Sequence, residues 1–383
     1  MKRKFPALLL TFALTLSLCA CGGKDAPANA DAQSFDAQAA DGQSDAQAAD
    51  EPSGAQTLKV GLICAGGEND LGETYNFIRG KNDASVMFAA EGVSLEWVIQ
   101  WNVPENEDCA LANRELAREG CRLILNAAPG YEEFMREVAS EYPDIRFVCC
   151  GGSVSQADDL PNTHNAFANI HEGRYLAGVV AGMKLQEMID DGEIAPQDAV
   201  IGYIGASGSA DAVSAYSAYF LGARSVCPGV TMKVRFVGAQ ADDDAERDAA
   251  SELAAMGCKL ISQQSGSLAP AAVAQDAGIL HTGYIHNLTH IAPEASLTST
   301  RIDWYPYFDH AIRAVLNGDE LEQDWRHGLD AYAVELTPLN RDLIADGTDE
   351  TLDEVKASLA GGSLQVFDTS AFAPDIDGIE KLD

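Results

Sequence analysis

From Leu58 onward the chain alternates between two hydrophobic periods. Short runs dense in apolar and β-branched residues, "LKVGLIC", "VSLEWVIQW", "CRLILNAA" and "IRFVCCGG", read as strands. Between them lie stretches with helical spacing: one beginning near Tyr75, one around Asp108 to Arg118, and "GYEEFMREVASEYP". The second half repeats the theme. "AVIGYIGA" leads into a helix through Phe220, followed by "MKVRFVGA", "DDDAERDAASELAAMG", "KLISQQ", "SLAPAAVAQDAG" and "ILHTGY". The acids heading "DDDAERDAASELAAMG" suit a helix N-terminus, where the backbone dipole favours negative charge. Strand–helix–strand repetition predicts parallel sheets covered by helices on both faces. Two such sets predict an α/β protein of two Rossmann-like lobes joined by hinge strands, with a ligand cleft at the carboxyl ends of the strands. The expected partition is residues 58–168 plus 301–328 for one lobe and 169–300 plus 329–383 for the other. The chain is expected to cross between them near Asn169, Arg301 and Leu329.

The first residues follow neither period. Lys2, Arg3 and Lys4 precede an apolar run from Phe5 to Leu18, shorter than the ~20 residues a membrane-spanning helix needs. Residues 1–20 therefore read as a signal peptide. The run Leu18-Cys19-Ala20-Cys21-Gly22 resembles a lipobox, with Cys21 as the lipidated residue and the membrane as partner through that anchor. Residues 21–57 carry the repeat DAQAAD at Asp36 to Asp41 and again at Asp45 to Asp50. Nearly all Ala, Asp, Gln, Ser, Gly and Pro, this segment has too little apolar surface to offset the entropy of ordering, and it is expected to be a disordered tether. The expected location is the extracytoplasmic face of the cell membrane.

Charge narrows the partners. Against 25 Lys and Arg stand 59 Asp and Glu, a net charge of −34, which argues against nucleic acid and against a strongly anionic ligand. Seven of the 9 cysteines lie beyond Cys21, an odd number, and there is no CxxC pair to suggest a zinc ribbon. A Cys109–Cys121 bridge stays open. Three of the 7 histidines, His281, His286 and His290, crowd into "GILHTGYIHNLTHIAP". His286 and His290 have the i, i+4 spacing of zinc ligands, but no carboxylate accompanies them, so no metal and no cofactor is expected. His286 and Asn287 instead read as hydrogen-bonding groups lining the cleft. The chain has no G-x-S-x-G elbow, phosphate loop or H-E-x-x-H, and no enzyme is expected.

The runs "VGLICAGGENDLGETYN", "GRYLAGVVAGMK", "IGYIG", "LGARSV", "DWYPYFDHAIRAVLNG" and "GLDAYAVELTPLN" resemble the basic membrane protein (BMP) or PnrA-like substrate-binding lipoproteins of ABC importers. The resemblance runs from Leu58 to Phe372. It implies a type I periplasmic-binding-protein fold that closes on a small molecule, a purine nucleoside or base, and delivers it to a permease driven by an ATPase. It also implies a flat base held between aromatic rings and a ribose held by a carboxylate. Asp70, Gly72 and Tyr75 match the family pattern. Glu73 and Gln240 stand where members usually place stacking aromatics, Ile285 stands in place of the ribose aspartate, and Cys64 stands where some members have an aspartate. Placement at strand ends adds Asn126, Tyr131, Ser207 and Gln264 to the expected ligand-binding set of Asp70, Glu73, Tyr75, Gln240, His286 and Asn287. The small residues Ala177, Gly178, Ala181 and Gly182 are expected to let a helix lie close on a sheet. Two other uses of the same fold stay open: a ligand sensor docking to a membrane receptor, and an importer component for a non-purine polar metabolite.

Overall fold

The structure, a computed structural model, describes residues 56–152, 160–238, 242–367 and 376–382. Cys21, the segment before Gln56 and Gln240 lie outside these residues. The apolar runs form strands as their period requires. In chain order the first part contains β1 (Gln56–Ile63), α1 (Glu73–Ala90), β2 (Val93–Gln100), α2 (Glu107–Arg118), β3 (Leu123–Asn126), α3 (Glu132–Ala139), β4 (Arg146–Cys150) and β5 (Thr163–Ala168). Then come α4 (Ile170–Asp190), β6 (Val200–Gly205), α5 (Ala210–Val226), β7 (Thr231–Phe236), α6 (Asp243–Ala255), β8 (Leu260–Gln264), α7 (Ala269–Asp276), β9 (Leu280–Tyr284) and β10 (Ser296–Ile302). The last elements are α8 (Tyr305–Asn317), β11 (Asp324–His327), β12 (Val334–Leu336), α9 (Thr348–Ala360) and β13 (Ile379–Leu382).

Two sheets result. The first has strand order β11-β5-β4-β3-β1-β2 and is parallel throughout. The second runs β12-β10-β9-β8-β6-β7-β13, parallel except for the antiparallel edge strand β12. Parallel pairing with helices on both faces buries the central strands, and Leu58, Val60, Leu62, Leu123 and Leu125 are 0% exposed. The chain passes from one sheet to the other after β5, after β10 and between β11 and β12.

In each sheet the chain first adds a strand on one side and then returns to the other. The first sheet reverses between β1 and β3, the second between β6 and β8. Such switch points open a crevice at the carboxyl ends of the strands, because the loops there diverge to opposite faces.

One expectation is corrected. Gly178 and Gly182 of α4 lie against α5 rather than against a sheet: a Cβ on Gly178 would fall 2.0 Å from the Tyr219 carbonyl oxygen, and one on Gly182 would fall 2.4 Å from that of Ala223. Gly222 of α5 reciprocates, with a Cβ there meeting the Tyr175 carbonyl at 2.1 Å. Two backbones approach this closely only where side chains are absent. Trp304 is buried beside the first sheet, its ring stacked on Phe77 at 4.7 Å.

Candidate functional site

The loop after β1 turns tightly before α1. Asp70 governs that turn: its Oδ1 accepts from the Gly72 N–H at 3.0 Å and its Oδ2 from the Thr74 N–H at 3.1 Å. It thereby satisfies backbone donors that the start of a helix leaves free. Glu73 is the first residue of α1. Its side chain is exposed to solvent, with its oxygens bonded to Tyr284 and Asn76. Burial pushes its pKa above the usual carboxylate value, hydrogen bonds from Tyr284 and Asn76 pull it back, and the charge of Asp70 raises it further.

Two residues at comparable strand ends are placed differently. Asn126 and Tyr131 are both 0% exposed. Asn126 exchanges hydrogen bonds with Asn113, at 2.8 and 3.2 Å, and the Tyr131 hydroxyl donates to the Val103 carbonyl. Their polar atoms hold the loops of the first sheet together. Cys109 belongs to the same network, its thiol lying 3.5 Å from Asn126 Oδ1. Cys109 and Cys121 are both free and buried.

On the second sheet, Ser207 is exposed just after β6, and its Oγ accepts from the Ser209 N–H at 3.4 Å. Gln264 ends β8 and accepts through Oε1 from the Tyr203 hydroxyl at 3.2 Å. That hydroxyl itself accepts from Arg174, a guanidinium buried at 0% exposure that also donates to Ser262 Oγ and the Gly283 carbonyl. Its plane is flanked by Tyr203 and Tyr219, each with its ring centroid 5.1 Å away. Carbonyl, hydroxyls and ring faces disperse the charge, and among the described residues no carboxylate pairs with it.

The three histidines part company. His281 is buried in β9, where its Nε2 bonds Gln263 Oε1 at 3.0 Å. Burial, with Arg174 nearby, lowers its pKa to about 3, so it stays neutral. His290 is exposed in a short 3-10 turn. Only His286 faces the other sheet. Among the described residues no group of three His, Cys, Asp or Glu side chains is placed to hold a metal ion. Asn287 caps the turn, its Oδ1 accepting from the Thr289 N–H at 3.1 Å and hydroxyl at 2.8 Å.

The backbone that aims His286 is unusual. The His286 N–H bonds back to the Tyr284 carbonyl at 2.7 Å, closing a three-residue turn around Ile285 at φ 66°. A β-branched residue seldom adopts that left-handed conformation, and it is strained there. The side chain is 1% exposed, so Ile285 holds the turn by burial and offers no polar group to a ligand.

The two halves meet at this point. The Tyr284 hydroxyl donates to Glu73 Oε1 at 2.6 Å, and the His286 Nε2–H donates to the Leu71 carbonyl at 2.6 Å. The rings of Tyr75 and His286 lie 4.5 Å apart, tilted by 47°. Gly266, in the loop after β8, packs so closely on Leu71 and Gly72 that a Cβ would fall 2.8 Å from the Leu71 oxygen. The structure thus brings Glu73, Tyr75 and His286 together, with Gln264 at the end of the neighbouring β8. Sequence reasoning missed Tyr284, although it closes the run "ILHTGY" at the carboxyl end of a strand. That position is the one signal that could have found it.

Residues 58–363 match the family model described as ABC transporter substrate-binding protein PnrA-like. The chain is 30% identical over 312 residues to a purine-binding protein of Brucella abortus, covering 82% of this chain and 83% of that protein. It is also 30% identical over 259 residues to a putative ABC transporter glucose-binding protein of Haloferax volcanii, covering 67% of this chain and 61% of the relative. A solved solute-binding protein of an ABC transporter system from Conexibacter woesei shares the fold with a TM-score of 0.64 at 18% identity, covering 80% of this chain and 98% of that one.

Proposed function

The chain belongs to the PnrA-like family of ABC transporter substrate-binding proteins, and from that premise we propose that it captures a purine nucleoside or base between its two sheets. The observation that carries the reading is the meeting of Glu73 and Tyr75 with Tyr284 and His286 at the carboxyl ends of both sheets. A small flat ligand entering there finds aromatic ring faces and hydrogen-bonding groups from both lobes. Contacts with both favour the closed arrangement, since ligand binding selects whichever state it touches more. The purine-binding relative from Brucella supports the ligand class.

Substrate-binding proteins of this family work outside the cytoplasm. We further propose that Cys21 carries a lipid anchor, that residues 21–57 act as its tether, and that the loaded protein delivers its ligand to a membrane permease with its ATPase. A second reading, a non-purine polar metabolite such as a sugar, draws on the putative glucose-binding relative and on Glu73 standing where the family usually stacks an aromatic. A thermal-shift screen of nucleosides, bases and sugars separates the two. The purine reading expects nucleosides or bases to raise the melting temperature and sugars to leave it unchanged, and the opposite pattern overturns it.

A further inference from the structure

We propose that Glu73 makes this cleft selective for purines that present two adjacent N–H donors, guanine and its nucleosides, over adenine. The inference rests on the purine reading above. Glu73 is an acceptor-only group placed at the switch point of the first sheet. Its Oε1 takes one hydrogen bond from Tyr284 at 2.6 Å, and its Oε2 takes a long one from Asn76 at 3.4 Å. A carboxylate has about four acceptor sites, so both oxygens keep capacity. Among the described residues no Lys or Arg forms an ion pair with Glu73, and the ionisable groups acting on it are Tyr284 and Asp70. The Glu73 side chain keeps exposed surface, so its remaining acceptor sites face water or a ligand that enters the cleft.

Tyr284 fixes the orientation of those oxygens. It is 4% exposed, and as the last residue of β9 it has little freedom to move. A carboxylate held this way reads the edge of a purine by complementarity. Guanine presents N1–H and its 2-amino group side by side, one donor for each oxygen, and hydrogen bonds to a charged acceptor are the strong ones. Hypoxanthine keeps only N1–H. Adenine sets the N1 lone pair beside its 6-amino group, so one carboxylate oxygen would face another acceptor. A site that reads a ligand edge in this way rejects the analogue, because an oxygen that has given up water would face an acceptor instead of a donor.

The test is calorimetric titration of the full-length chain, purified in mild detergent, with guanosine, inosine, adenosine and N1-methylguanosine. Guanosine is expected to bind roughly 10- to 100-fold more tightly than adenosine, with inosine between, as expected of hydrogen bonds to a charged group. Glu73→Gln is expected to weaken guanosine by a similar factor while leaving adenosine within about threefold. N1-methylguanosine, which lacks the N1 hydrogen, tests the same contact without any mutation and is expected to bind at least about tenfold more weakly than guanosine. Equal binding of adenosine and guanosine, full binding of N1-methylguanosine, or a guanosine preference that survives Glu73→Gln overturns the proposal while leaving the purine reading intact. If no purine binds and a sugar does, the purine reading fails and takes this inference with it.

Discussion

Removing the Tyr284 hydroxyl isolates what it does for Glu73. The bond from Tyr284 pulls the Glu73 pKa down against burial and the charge of Asp70. Purine donors need the carboxylate, so guanosine affinity is expected to fall as pH drops through the raised Glu73 pKa. Tyr284→Phe removes a lowering contact, and the acid-side fall should move to higher pH, measurable as a shifted affinity profile. An unshifted profile would show that another group titrates. A second carboxylate, Glu246, makes a stability prediction. It is 0% exposed in the first turn of α6 and accepts from the Ser265 hydroxyl, while burial raises its pKa from 4.5 to about 7. The folded state therefore holds a proton that the unfolded chain releases, and stability falls as pH rises from 4.5 to about 7, then levels off. Glu246→Gln should stabilise the protein by about 1–3 kcal/mol at pH 8 and by almost nothing near pH 4. Urea midpoints at the two pH values check it.

At the scale of elements, the loop after β8 is what the second lobe brings against the first. Its Ser265 and Ser267 donate to Glu246 and Asp243 of α6, so the loop is tied to the helix beneath it. Between them Gly266 meets the backbone of Leu71 and Gly72. Gly266→Ala inserts a methyl where the nearest atoms would lie 2.8 Å away, and backbone cannot yield as a side chain would. The lobes should stand apart, with a larger radius of gyration by small-angle scattering and ligand affinity reduced about tenfold as the closed population falls. The melting temperature should hardly change, because neither core is touched. A variant that scatters and binds like the wild type would remove Gly266 from the closing surface.

At the scale of the whole molecule, the parallel first sheet and the largely parallel second sheet are joined by three crossings, a connection that suits hinge motion. The proposed anchor at Cys21 is a separate matter. Cys21→Ala should release the protein from the membrane fraction to the soluble fraction without altering ligand affinity. Retention of the variant in membranes, or an unmodified wild-type Cys21 by mass spectrometry, would sink the anchor.

The order of strands and helices was legible along the chain because period two and period 3.6 are local properties of a segment. So were the positions of Asp70 and Glu73, where a strand hands over to a helix, and of His286, just past the end of β9. The roles of equivalent positions were not. Asn126 ends β3 just as Gln264 ends β8, and Tyr131 follows in a short turn, yet their polar atoms are taken up by Asn113 and Val103. The small-residue face of α4 announced close packing without saying that α5 was the partner. The pairing of Tyr284 with Glu73 joins residues 211 positions apart on different sheets. Local pattern carries no information about such a pair, since it depends on how two separately folded sheets close on one another. Local pattern along the chain determined the order of strands and helices, and only the tertiary structure decided which side chains meet between the two sheets.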